Sequence, residues 1–333
     1  MPKISVVIPL FNKERHIVRA INSVLAQTVQ DFEIVVVNDG SKDGGGDIVR
    51  VMTDSRIRLI HQENGGVSSA RNKGIKESYT ELIAFLDADD EWKPIFLETV
   101  LNLKERFPGA GAYVTAYEIK GHYGKIYSPN YKAIPLAPWE GVIPNYFESI
   151  LGDLPVWSSA IMIPKKVFNV CGVFPLGERL GEDLDMWLRV ALRYPIAFSR
   201  KIGAIHFQNA QERATNREVP LKTLPFQKTA QVACASKMLS KKDLFFLKEY
   251  INKFEILAAI QCIRFGYIEL GKKRLEECDT EIFRGTKLTW LRLLRIPKIV
   301  LKIMWFLKEH LINRFFWDFL MYCEHRKSLN EKK

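Results

Sequence analysis

The sequence predicts an α/β fold, a mostly parallel sheet with helices on both faces, followed by an all-helical C-terminal extension. Three observations carry this. Apolar, strand-like runs alternate with helix-period segments over the first hundred or so residues. A polar cluster follows each of the first four runs. Beyond about residue 220 the pattern is helical throughout, without Gly/Pro-rich loops.

Each element has its own signal. Ile4–Pro9 reads as a buried strand. Lys13–Gln27 carries Ile17, Ala20, Ile21, Val24 and Leu25 at helical spacing. Phe32–Val37 is a β-branched second strand, Asp47–Asp54 a short helix and Ile57–His61 a third strand. Val67–Ser78 is helical, Leu82–Leu86 is a fourth strand, and Pro94–Arg106 is a helix with proline in its first turn. The stretch 108–180 is rich in Gly, Pro and aromatics, with short strands at Tyr113–Ile119 and Ser159–Ile163, and is expected to shape a pocket. A helix from Glu182 to about Arg193 and a strand over Ile196–His206 follow. The expected division is 1–220, an α/β catalytic domain, and 221–333, a basic helical region.

Right-handed crossovers put the strand C-termini along one edge, where open α/β sheets bind ligands. Asn12, Asn38-Asp39-Gly40-Ser41, Glu63-Asn64-Gly65-Gly66 and Asp87-Ala88-Asp89-Asp90 should therefore line one crevice. Two carboxylates one residue apart suit Mg²⁺ or Mn²⁺, with a diphosphate supplying further oxygens. Asp39 can accept a hydrogen bond from a base N–H, and Arg71, behind a glycine pair at a helix start, can reach a phosphate. Glu182-Asp183 opens a helix and offers a general base; His206 ends a strand and can complete a metal shell. Each feature also has a plain structural reading: an acidic turn, a D-G-S turn, a capped helix, carboxylates favoured by the helix dipole. Their arrival at neighbouring strand ends is what favours chemistry.

Together these residues resemble family 2 glycosyltransferases of the GT-A fold, a Rossmann-like architecture. The match lies in Val6-Val7-Ile8-Pro9-Leu10-Phe11-Asn12, Val37-Asn38-Asp39-Gly40-Ser41, Asn64 to Gly74, Phe85-Leu86-Asp87-Ala88-Asp89-Asp90 and Gly181-Glu182-Asp183-Leu184-Asp185-Met186-Trp187, and covers about residues 3–215. The resemblance implies that Pro9 and Phe11, with Asn12, contact the donor base and that Asp39 hydrogen-bonds it. It places Arg71 near the nucleotide, Asp87 near the ribose and sugar, and Asp89 on the metal, with His206 near the metal or diphosphate. Asp183 would be the base of an inverting transfer, with Glu182 the competing choice. The implied donor is a nucleotide-diphosphate sugar, and Mn²⁺ or Mg²⁺ the cofactor. A Q-x-x-R-W segment, usual in processive polysaccharide synthases, is missing, and Gln211-Glu212-Arg213-Ala214 does not supply it. One sugar per event is therefore expected.

Composition narrows the alternatives. The 333 residues are 47% hydrophobic and 26% charged, ordinary for a folded protein. Five scattered cysteines without a C-x-x-C pair are read as reduced thiols in a cytosolic compartment. No signal peptide and no uncharged run of about 18 apolar residues is found, so no ordinary transmembrane helix is expected. The net charge of +11 resides in residues 222–333, which hold 23 Lys/Arg against 12 Asp/Glu, while 1–221 are neutral. Across 288–322, Arg292, Arg295, Lys298 and Lys302 alternate with Trp, Phe and Leu, as in a basic amphipathic helix. That suits peripheral docking at the inner face of the cytoplasmic membrane and a lipid-linked glycan or polysaccharide-precursor acceptor; packing on the core or on a second subunit of a homo-oligomer is the other reading. A nucleotidyltransferase that makes the nucleotide sugar would need a glycine-rich phosphate loop, and Pro9-Leu10-Phe11-Asn12-Lys13 is not one. Nucleic acid is not an expected partner, because the basic residues sit among bulky apolar ones.

Overall fold

The computed structural model describes residues 3–121, 124–208, 223–236 and 238–296. The first four strands are β1 (Ile4–Leu10), β2 (Phe32–Asp39), β3 (Ile57–Gln62) and β4 (Leu82–Phe85). They alternate with α1 (Glu14–Leu25), α2 (Gly45–Arg50) and α3 (Val67–Glu77). The next elements are β5 (Glu91–Trp92), α4 (Phe96–Arg106), β6 (Ala112–Lys120), β7 (Ile126–Tyr127), β8 (Glu140–Val142) and α5 (Tyr146–Ser149). After a 3-10 turn at Ser158–Ala160 come β9 (Ile161–Pro164), α6 (Lys165–Cys171), α7 (Glu182–Ala191), β10 (Ile196–Phe207) and α8 (Pro225–Ala235). The described C-terminal helices are α9 (Lys241–Arg264), α10 (Ile268–Glu277) and α11 (Arg284–Leu293).

The strands form one sheet in the order β3-β2-β1-β4-β9-β6-β10-β5, with β7 on β6 and β8 on β10. β3, β2, β1 and β4 run parallel, as do β6 and β10. β9 is antiparallel to both β4 and β6. The sequence marks β9 as apolar but carries no sign of its direction, since periodicity of burial is the same either way.

Burial on both faces explains why β1 and β2 read as unbroken apolar runs. Along β2, Val35 and Val37 face a small cluster with Ala70 of α3, while Ile34 and Val36 join the main core. That core continues through Ile17, Ile21 and Val24 of α1 and Phe96, Val100 and Leu103 of α4. Gly74 of α3 lies against Val7 of β1, so close that a methyl group would fall among the valine methyls.

The chain divides into two compact units. The first holds the described residues through Gln208 together with Leu224–Asp243, and the second Thr223 and those from Leu244 on. The charge-based boundary at 220 thus falls before α8, which packs on α7; Thr229 donates to Asp185 at 2.5 Å. The second unit has its own core of Ile256, Ala259, Ile263, Leu275 and Trp290. The expected amphipathic segment begins inside α11, which ends at Leu293, ahead of Pro297, a residue that disfavours helix before it. Trp290 is buried in that core, so its ring is committed to helix packing. Residues 297–322 of the segment, and Gln211 to Ala214, lie outside the described residues. No helix among the described residues is long and apolar enough to cross a membrane.

Candidate active site

The strand ends meet through their loops. After β1 the chain turns at Asn12, which adopts φ +52°, a left-handed conformation that asparagine tolerates. Its backbone N–H donates to Ser41 Oγ at 3.1 Å, and its Oδ1 accepts from Lys42 N–H at 2.8 Å. Asn12 thereby stitches the β1 loop to the β2 loop. Neighbouring Phe11 is exposed, as a ring offered to a ligand would be.

Asp39, at the end of β2, is buried, with its carboxylate satisfied by the next loop. It accepts from Gly65 and Gly66 N–H, each at 2.9 Å, and from Gln62 Nε2 at 2.6 Å. Gly40 follows at φ +69°, where a Cβ would sit 2.9 Å from Asn64 N, so glycine is required on both counts. Asp39 therefore shapes the 62–66 loop as well as standing where a base is expected. Pro9 pairs with Val37 in the β1–β2 ladder, one strand from that carboxylate.

The β4 loop carries three acids with three different environments. Asp87 Oδ1 accepts from Arg71 Nη2 at 2.8 Å, and Asp87 N–H donates to Ser159 Oγ at 3.0 Å. Burial, joined by Asp90 and Asp89, raises the Asp87 pKa against the pull of Arg71. Asp89 pairs with Lys13 Nζ at 2.9 Å, and its carbonyl accepts from Arg19 Nη2. Asp90 is fully buried: Oδ2 accepts from Ser159 Oγ at 2.6 Å and Trp157 Nε1 at 3.0 Å, and Oδ1 from Phe207 N–H at 3.2 Å. His206 Nδ1 lies 3.3 Å from Asp90 Oδ1. Burial works against the Asp90 charge, but the hydrogen bonds from His206, Ser159 and Trp157 outweigh it and lower the pKa.

Arg71 joins distant parts of the sequence. It is buried, with Nη2 on Asp87 and Nη1 on Glu182 Oε1 at 3.0 Å. Its Nε is buried without a hydrogen-bond partner, and its guanidinium lies 5.2 Å from the Phe174 ring. Expected beside the nucleotide, Arg71 is here a bridge between two acids. Glu182, at the start of α7, is buried, and burial together with Asp183 raises its pKa to about 7, against the attraction of Arg71. Asp183 is partly exposed; Oδ1 accepts from Leu184 N–H at 2.7 Å and Oδ2 from Ser158 Oγ at 3.3 Å. Of the two, Asp183 has the more accessible carboxylate.

The arrangement can hold a divalent cation, because hard cations are commonly held by one or two carboxylates plus substrate phosphates and water. Among the described residues no group of three His, Cys, Asp or Glu side chains is arranged to hold a metal ion by itself. Asp89, expected on the metal, is here paired with Lys13. The His206 ring is oriented through Nδ1 by Asp90, as second partners orient metal-bound imidazoles. Sequence reading gave no role to Lys13 or Ser159, and named Asp90 only as part of its acidic cluster. Only a cation next to Asn12 and a third acid beside the D-x-D pair hinted at Lys13 and Asp90.

Comparison with known proteins follows the same lines. A family model described as glycosyl transferase family 2 matches residues 5–154. The glycosyltransferase GlyG of Streptococcus pneumoniae is 32% identical over 208 residues, 59% of this chain and 67% of GlyG. An uncharacterized glycosyltransferase of Rickettsia felis is 31% identical over 224 residues, 65% of this chain. The chain spans 36% of that relative's length, and 36% of a second from Rickettsia conorii. The crystal structure of S. aureus TarS 1–349 in complex with UDP-GlcNAc superposes with a TM-score of 0.64 at 18% identity, covering 82% of this chain and 79% of that one. At that identity the likeness concerns the fold.

Proposed function

The chain belongs to glycosyl transferase family 2, and from that premise we propose that it transfers a single sugar, with inversion, from a nucleotide-diphosphate sugar to an acceptor hydroxyl. The observation that carries this reading is the Arg71 bridge, which ties the acids after β4 to the acids opening α7, 111 residues from Arg71 in sequence. On this reading one guanidinium spans the donor-side and base-side acids. The UDP-GlcNAc complex of TarS supports a nucleotide-sugar donor.

Asp183 takes the acceptor proton as the hydroxyl attacks the anomeric carbon, and the C–O bond to the diphosphate breaks on the opposite face. A single displacement inverts that carbon. Phe11, Pro9 and Asp39 form the base pocket with Asn12 fixing its loops, and Asp87 faces the sugar. Asp89 and His206 would hold Mn²⁺ or Mg²⁺, which supplies charge stabilisation to the departing diphosphate. Glu182 keeps Arg71 in place beside Asp87. The acceptor is read as a lipid-linked glycan or polysaccharide precursor, approached from a membrane surface by the basic C-terminal region; a contact between copies of the chain is the other use of that region.

The test is a panel of nucleotide sugars in Mn²⁺ or Mg²⁺. Asp89→Ala is expected to abolish metal-dependent donor binding. Asp183→Asn is expected to keep donor binding and lose transfer by roughly 10²–10⁴-fold, the usual contribution of a general base. Full transfer by the Asp183 variant would move the base to Glu182.

A further inference from the structure

Lys13 is not among the residues that bind donor or metal in the reading above, yet it occupies the key carboxylate. Its Nζ lies 2.9 Å from Asp89 Oδ2, and both side chains are mostly buried, at 16% and 14% exposure. The stem is fixed. Lys13 is the N-cap residue of α1, directly after the Asn12 clamp, and Glu14 N–H donates to Asp43 Oδ2 at 2.8 Å. Asp89 is fixed too, since Arg19 from the next turns of α1 holds its carbonyl. Between these two anchored backbones, the four-carbon lysine chain is the part that can swing.

A buried carboxylate needs a partner, and removing the partner is costly. An ammonium at 2.9 Å supplies one. It also repels a divalent cation that approaches the same oxygens, because like charges a few ångströms apart inside a protein interact strongly. An anionic diphosphate in the crevice changes this balance by offering the ammonium another counter-charge.

We propose that Lys13 is a resident counter-cation for Asp89, which makes divalent metal binding conditional on a diphosphate that draws the ammonium away. This rests on the assignment of Asp89 as the metal carboxylate. The consequence is cooperativity: metal binds weakly to the nucleotide-free protein and tightly with the donor, as expected when two ligands share one charged residue.

The experiment titrates Mn²⁺ alone into the nucleotide-free full chain and follows the unbound ion by its electron paramagnetic resonance signal. Wild type, Lys13→Met, Lys13→Gln, Lys13→Arg and Lys13→Met/Asp89→Ala are compared. The Met and Gln variants are expected to bind Mn²⁺ about tenfold or more tightly than wild type, because an unpaired buried carboxylate attracts the ion more strongly. The Arg variant should stay weak, and the double variant should lose the gain. Mn²⁺ should also raise the melting temperature of the Met variant more than that of wild type. If Met and Gln bind no more tightly than wild type while wild-type binding still depends on Asp89, the role of Lys13 is overturned and the metal site stands. If Mn²⁺ binding is indifferent to Asp89 in every variant, the metal assignment itself falls, and this proposal with it.

Discussion

Glu182 and Asp90 are two acids whose surroundings push them in opposite directions. Glu182 is a carboxyl raised from near 4.5 to about 7 by burial and by Asp183, with Arg71 and Asp87 the other charges facing it. A carboxyl that holds its proton more tightly when folded adds stability below its unfolded pKa. That stability drains away as pH rises, and is lost above about 7. Glu182→Gln has no such proton to lose. Relative to wild type, this variant is expected to gain stability between pH 5 and 8, by up to about 3 kcal/mol, as measured by denaturant unfolding at each pH. A wild-type minus variant difference that is flat with pH would contradict the environment described. Asp90 acts through its neighbour. Asp90→Asn should leave the fold intact but weaken the orientation of His206, lowering Mn²⁺ affinity in the presence of donor about 10–100-fold, as read by isothermal titration. An unchanged affinity would remove His206 from the metal shell.

At the scale of elements, what could be read from sequence was what depends on burial pattern alone. β1, β2 and β4 are fully or almost fully buried runs, and their boundaries follow the apolar stretch to within a residue or two. The contacts between strand-end loops were legible for the same reason: polar clusters after buried parallel strands have one edge to occupy. The side-chain pairings beyond them were not. Nothing about Arg71 in sequence says that it reaches Glu182, nor about Asp90 that it meets His206 and Trp157, because these contacts join elements far apart in the chain that only the assembled sheet brings together. The insertion of β9 between β4 and β6 was equally hidden. Gly74 shows how closely an element must approach to build the site, since α3 carries Arg71 one turn before that contact. Gly74→Ala is expected to destabilise the protein by about 1–3 kcal/mol through overpacking against Val7, despite the better helix propensity of alanine. Gly109→Ala, with nothing within 4 Å of the new methyl, is the control and should be near neutral. Chemical denaturation of both variants measures the contrast.

At the scale of the molecule, charge separates from chemistry. Residues 1–221 hold equal numbers of basic and acidic side chains and contain every residue assigned to donor, metal or proton transfer. Residues 222–333 carry the whole net charge of +11. On the proposed reading, the diphosphate is met by residues of the neutral part, so the excess charge is left for another use. Part of the basic region is spent on folding: Trp290 and Leu275 close the core of the second unit. One basic side chain is also used there: Lys287 Nζ donates to the Cys278 carbonyl at 2.6 Å and the Glu276 carbonyl at 3.1 Å. Lys272 and Lys273 on α10 form solvent-exposed i,i+4 pairs with Glu276 and Glu277, pairs worth little to stability. Such a surface attracts an anionic bilayer with a strength that salt reduces, since the screening length falls from about 10 Å at 0.1 M to about 3 Å at 1 M. The full chain is therefore expected to sediment with vesicles containing phosphatidylglycerol, to bind neutral phosphatidylcholine vesicles weakly, and to be released as salt is raised. Binding to both vesicle types that salt does not weaken would assign the attraction to apolar insertion instead of charge. If the protein stays in the supernatant with anionic vesicles at low salt, the acceptor must be sought among soluble glycans, and the basic region among contacts between copies of the chain.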